Sequence, residues 1–137
     1  MPQYITPPYI NSHDSDSNTV RSGPFARIAL SLPYQEEFVF GEDSSCYGLL
    51  DTGSPITFIP KDLILELNAP LIGPAVISYG VGGHGFYDPY SLSIRLDGII
   101  LPNRSVLAWS REIALIGRDI LDELEACFNG EEYFLTH

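Results

Sequence analysis

From Phe25 onward the chain alternates apolar runs with turn-forming residues: FARIALSL, EEFVF, CYGLL, ITFI, AVISY, SLSIRL, GIIL and SVLAW. Their short lengths and their enrichment in Ile, Val, Phe and Tyr predict β-strands rather than helices. Two segments break the rhythm. PKDLILELN opens with Pro60 and places Leu63, Ile64 and Leu67 at helical spacing, and RDILDELEA places Ile120, Leu121 and Leu124 on one face, so a short helix is expected in each. Near the end, ACFNGEEYFLT sets Asn129-Gly130 between apolar runs. That dipeptide is a strong two-residue turn signal, and it predicts a terminal β-hairpin arm.

Residues 1–22 are rich in Pro, Ser, Asn and Asp with few apolar side chains, too little to offset the entropy of ordering, and are expected to form a flexible tail. Within them Asp14-Ser15-Asp16-Ser17-Asn18 imitates the opening of a calcium loop. Thr19 stands where the sharp-turn glycine belongs and Phe25 where the bidentate glutamate belongs, so a solvated linker is the better reading. Residues 23–137 then make one globular domain, since 137 residues suffice for one core but not for two full lobes. The 12 glycines and 11 prolines fit a mostly β fold with many turns.

Eighteen acidic residues against seven basic ones give a formal charge of -11. Such a surface repels nucleic acid and anionic membranes, so a neutral or basic partner is expected. No apolar run has membrane-spanning length and the first residues lack a signal-peptide pattern, which reads as a soluble, cytoplasmic chain. Cys46 and Cys127 lie far apart with no metal-knuckle spacing; both are expected as buried thiols, with no metal or other cofactor.

Gly80-Val81-Gly82-Gly83-His84-Gly85 satisfies G-x-G-x-x-G. A dinucleotide site requires the last glycine to open a helix whose N-terminus holds the pyrophosphate. Here Pro89 interrupts any helix, and Ser91 to Leu96 alternate with period two. The loop is therefore predicted as the glycine-rich tip of a β-hairpin.

The chemistry-bearing stretch is YGLLDTGSPITFIP, in which Asp51 follows Leu49-Leu50 and precedes Thr52-Gly53-Ser54. A second stretch, IALIGRDIL, ends an apolar run at Gly117 and continues with Arg118 and Asp119. With the glycine-rich hairpin between them, and in this order, residues 25–136 resemble the retropepsin-like aspartic peptidases, the family of the retroviral proteases. The resemblance implies a closed, bent barrel of short strands with one or two short helices, the half-molecule of the acid-protease fold. It implies Asp51 as the catalytic carboxylate and Thr52 as a lock between two such loops. Gly53 would allow the tight turn beneath the carboxylate, and Ser54 would donate a hydrogen bond to Asp51. Gly80, Val81, Gly82, Gly83, His84 and Gly85 would form a flap tip, Leu49, Ile113 and Leu115 would line substrate subsites, and Gly117, Arg118 and Asp119 would form the structural second loop. His84 itself is expected to face solvent. One departure is that Pro55 and Ile56 replace the acidic partner that the arginine of the second loop has in retroviral members, so Arg118 needs another partner.

Two carboxylates sharing a proton are needed to activate water and protonate the scissile carbonyl. The chain has one Asp-Thr-Gly and no Asp-Ser-Gly. The resemblance therefore implies a symmetric homodimer, with an extended peptide or protein substrate, apolar residues at the scissile bond, and the terminal YFLT pairing across the interface. The alternatives from the sequence are a non-catalytic peptide-binding dimer and a scaffolding barrel.

Overall fold

The computed structural model describes residues 10–11, 20–21, 24–33, 47–80, 83–129 and 132–137. Strand β1 (Ile10–Asn11) pairs antiparallel with β2 (Val20–Arg21); the rest of the expected tail lies outside the described residues, as do EEFVF, Cys46 and the calcium-loop mimic. Then follow β3 (Phe25–Ser31), β4 (Tyr47–Leu50), β5 (Phe58–Pro60), helix α1 (Lys61–Leu67), β6 (Val76–Gly80), β7 (Gly83–Tyr87), β8 (Pro89–Leu96), β9 (Ile99–Trp109), β10 (Ala114–Ile116), helix α2 (Arg118–Leu121), β11 (Glu125–Asn129) and β12 (Glu132–Thr136). Six strands close a barrel in the order β10-β4-β3-β8-β9-β5. The fold is thus mostly β, a closed barrel with two short helices.

Period-two alternation decides what enters the barrel. Ala26, Ile28 and Leu30 of β3, Leu92, Ile94 and Leu96 of β8, and Ala114 and Ile116 of β10 meet in one buried core. Ile64 and Leu67 of α1 and Ile120 and Leu121 of α2 join it. Each fully buried side chain of this size contributes about 1.5–3 kcal/mol of apolar transfer, which outweighs the weak intrinsic preferences of such short elements. Helix α1 follows Pro60 and ends at Asn68, whose left-handed backbone (φ 61°) turns the chain out.

β10 has neighbours on both sides. It runs parallel to β4 (Leu115 beside Leu49) and antiparallel to β5 (Leu115 beside Phe58). The chain leaves β4, forms the loop carrying Asp51, and returns as β5 on the far side of β10. Two distant segments of sequence are thereby interleaved.

Three expectations are corrected. GIIL and SVLAW are parts of one strand, β9, which runs through Pro102, Asn103 and Arg104. Asn103 takes φ 53°, its N–H donates to the Ser93 hydroxyl at 3.1 Å, and the β8–β9 register slips between Leu92 and Ile94. A bulge, not a break, accommodates the polar residues and bends the strand around the barrel. RDILDELEA is helical only to Leu121, and Glu125 already begins β11; burial of Ile120 and Leu121 requires one turn, after which the chain reverses into the hairpin. Cys127 is an exposed free thiol rather than a buried one, and on β11 it stands opposite Phe134.

The terminal hairpin forms as expected, with Asn129 in the ladder opposite Glu132; Gly130 lies outside the described residues. Tyr133, buried, anchors it by donating its hydroxyl to the Asp97 carboxylate at the β8–β9 turn. Desolvation raises the Asp97 carboxyl above its ordinary range, although the Tyr133 and Arg27 contacts pull the other way. Burial and the neighbouring carboxylate push the Tyr133 phenol up as well. Among the described residues no helix is long and apolar enough to cross a membrane.

Candidate active site

The interleaving of β4, β10 and β5 brings the two sequence motifs into contact. The N–H of Asp51 donates to Ile116 O at 2.9 Å, continuing the β4–β10 ladder up to the aspartate. The chain then turns sharply: the Gly53 N–H donates to Asp51 Oδ1 at 2.8 Å and the Ser54 N–H to Asp51 O at 3.2 Å. Across the crossing, the Arg118 N–H donates to Ser54 O at 2.8 Å. The half-buried Asp51 carboxylate is thus oriented by a backbone donor while Thr52 and Gly53 remain exposed.

Gly117 is where the two loops pass closest. A β-carbon there would lie 2.4 Å from Ile56 O and 2.8 Å from Ser54 O, so only glycine allows this approach. Beside it Thr57, fully buried, serves as a clamp. Its hydroxyl donates to Asp119 Oδ1 at 2.7 Å and accepts the Gly117 N–H at 3.0 Å, while its own N–H donates to Asp119 Oδ2 at 3.1 Å. Sequence reasoning missed Thr57. The available signal was a lone hydroxyl inside the apolar run ITFIP, where burial demands hydrogen-bond partners.

Several expected roles shift. The Ser54 hydroxyl donates to Ile56 O at 2.8 Å rather than to Asp51; the loop's own carbonyl is the nearer acceptor, and Gly53 serves the carboxylate instead. Arg118 contributes its backbone N–H to the crossing, and among the described residues its exposed guanidinium has no ion-pair partner. The tie between the loops is made by Asp119.

Leu49, Ile113 and Leu115 lie on one wall. Leu115, 4 % exposed, forms its floor with Phe58, Leu107 and Trp109, while Leu49 and Ile113 are half-buried. Ile113 O accepts the Trp109 indole N–H at 3.1 Å. The glycine-rich stretch forms the β6–β7 hairpin, with Gly80 opposite Gly83, Tyr79 opposite His84 and Ser78 opposite Gly85; Val81 and Gly82 lie outside the described residues. At its base Tyr87 meets Phe58 edge-on at 5.0 Å, which anchors the hairpin on the strand that pairs with β10.

Among the described residues no group of three His, Cys, Asp or Glu side chains is placed to hold a metal. No protein-family model matches the chain, and no curated protein matches it significantly.

Proposed function

We propose that the chain is a retropepsin-like aspartic endopeptidase, active as a symmetric homodimer in which each protomer supplies one Asp51. The observation that carries this reading is the crossing of the Asp51 loop with the Gly117 turn. A carboxylate stands at the end of barrel strand β4, held by the Gly53 N–H and backed by a hydrogen-bonded crossing. An ordinary connecting turn needs neither the crossing nor the Thr57–Asp119 clamp beneath it.

In the dimer the two Asp51 carboxylates face each other across a two-fold axis. Like charges in contact cannot both ionise easily, so the pair holds one proton between them. The ionised member takes a proton from a bound water as that water attacks the scissile carbonyl. The protonated member gives its proton to the carbonyl oxygen, and the resulting gem-diol collapses with proton transfer to the leaving nitrogen. Substrate binds extended between the wall at Leu49 and Ile113 and the β6–β7 hairpin, its backbone hydrogen-bonded like an added strand. The hairpin acts as the flap that excludes water during attack. The terminal β11–β12 hairpin, a two-stranded sheet separate from the barrel, is the element proposed to pair across the interface.

The test is cleavage of an unstructured protein at mildly acidic pH. Activity that is blocked by an aspartic-peptidase inhibitor and lost in Asp51→Asn supports the enzyme. Binding of peptide without cleavage would favour a non-catalytic dimer.

A further inference from the structure

The wall beside Asp51 continues across five strands as one transverse row. Phe25 stands beside Leu49, Leu49 beside Leu115, Leu115 beside Phe58, and Phe58 beside Leu107. Because side chains alternate along a strand, Asp51 shares the face of Leu49, two residues earlier. The row therefore leads from Leu49, on the face of the carboxylate, to Phe58 in two strand spacings, about 10 Å, a distance that about three extended substrate residues cover.

At the end of that path stands a packed aromatic group rather than a hollow. Phe58 is 3 % exposed and stacks on Trp109 with ring centroids 4.8 Å apart and planes 22° apart. Tyr87 closes over its edge at 74°. Trp109 is held in turn by its hydrogen bond to Ile113 O and by Arg111, whose guanidinium lies 5.4 Å from the ring centroid. The indole has a hydrogen bond, a stacking partner and a cation to lose if it rotates away, so the group resists displacement.

We propose that Phe58 determines specificity by filling, with the protein's own ring, the space that a large substrate side chain would otherwise take. Resting on the peptidase reading, the inference is that substrates carry a small side chain, Gly, Ala or Ser, at the position seated against Phe58, within about three residues of the scissile bond. Ile56 and Tyr87, both half-buried, pack against this group and present an apolar surface around it. A methyl group fits that surface, whereas a phenyl ring meets a close-packed one. The apolar preference at the scissile bond itself is unaffected, because it concerns the neighbouring positions along the extended peptide.

The test compares wild type with Phe58→Val, which keeps a strand-favouring side chain and removes the ring. Both are assayed by mass spectrometry on peptide mixtures randomised at one position at a time around the scissile bond. Wild type is expected to favour Ala over Phe at one such position by about tenfold or more, and Phe58→Val to reduce that ratio about tenfold there while leaving the other positions unchanged. Phe58→Leu, a smaller change, serves if Phe58→Val does not fold, and is expected to shift the same position less. Wild-type preference for Phe at every position, or an equal change at all positions in the variant, overturns the inference. Anisotropy binding of the same Ala and Phe peptides to Asp51→Asn, with and without Phe58→Val, reads the selectivity without turnover. If wild type cleaves nothing, the peptidase reading fails, and the binding ratio still decides the role of Phe58: an unchanged ratio overturns it.

Discussion

Replacing Thr57 with Val removes one hydroxyl and almost no volume, which isolates the clamp between the Asp51 loop and the Gly117 turn. Two interactions are lost. The Gly117 N–H, paired with Thr57 Oγ1 at 3.0 Å in a buried setting, is left without an acceptor, at a cost of about 1–3 kcal/mol. Asp119 Oδ1 loses its 2.7 Å donor; because the Asp119 residue is exposed, water substitutes in part, and about 1 kcal/mol is a fair figure for a charge-assisted bond so discounted. The sum is about 2–4 kcal/mol, or a fall in Tm of about 10 °C for a domain of this size. Urea unfolding at fixed protein concentration measures it, since the proposed dimerisation would make stability concentration-dependent. Thr57→Ser retains both bonds and is expected to lose about 1 kcal/mol for the missing methyl group. Should Thr57→Val unfold within about 0.5 kcal/mol of wild type, or should Thr57→Ser cost as much, the clamp is not a structural tie.

Gly117→Ala places a β-carbon 2.4 Å from Ile56 O and is expected to cost about 3 kcal/mol or more, read as loss of soluble expression or a large fall in the urea midpoint. The Asp97 carboxyl titrates above its unfolded value of 3.8, so the folded chain holds the proton more tightly and stability falls as pH rises from there through the folded value. Asp97→Asn keeps an acceptor for Tyr133 and tolerates the left-handed backbone (φ 48°); its stability should be flatter across that window and higher at neutral pH, measured by thermal melts from pH 3 to 7. Phe134→Asp puts a charge on β12 and should raise the dimer dissociation constant about 100-fold or more, with activity lost in parallel; an active monomer in sedimentation would refute the assembly.

The barrel strands were legible because a short apolar run rich in Ile, Val and Phe has few other uses, and the glycine hairpin because Pro89 and the alternation after it exclude a helix. What escaped was information held between distant segments. Pro102-Asn103-Arg104 reads as a break until β8 supplies the Ser93 hydroxyl that turns it into a bulge. RDILDELEA has helical spacing throughout, but the chain turns after Leu121 and the hairpin anchored by Tyr133 claims Glu125 and Ala126. Asp51, Ser54, Gly117, Arg118 and Asp119 were singled out by sequence, whereas Thr57, which ties the two loops through Asp119 and Gly117, was not. Thr57 acquires its role only once β10 enters between β4 and β5, and Ser54 turns its hydroxyl to Ile56 because the loop closes on itself. The Phe58–Trp109 stack depends on the parallel pairing of β5 with β9, a register that no local periodicity encodes.

The proposed catalysis needs two Asp51 carboxylates from two chains, and mixing tests this directly. Wild type is mixed with increasing Asp51→Asn chain, allowed to exchange subunits, and assayed for peptide cleavage. Inactive mixed dimers predict that activity per wild-type chain falls to about half at equal amounts and to about a quarter at threefold excess of the variant. Activity per wild-type chain that stays constant at every ratio would contradict a dyad shared between chains.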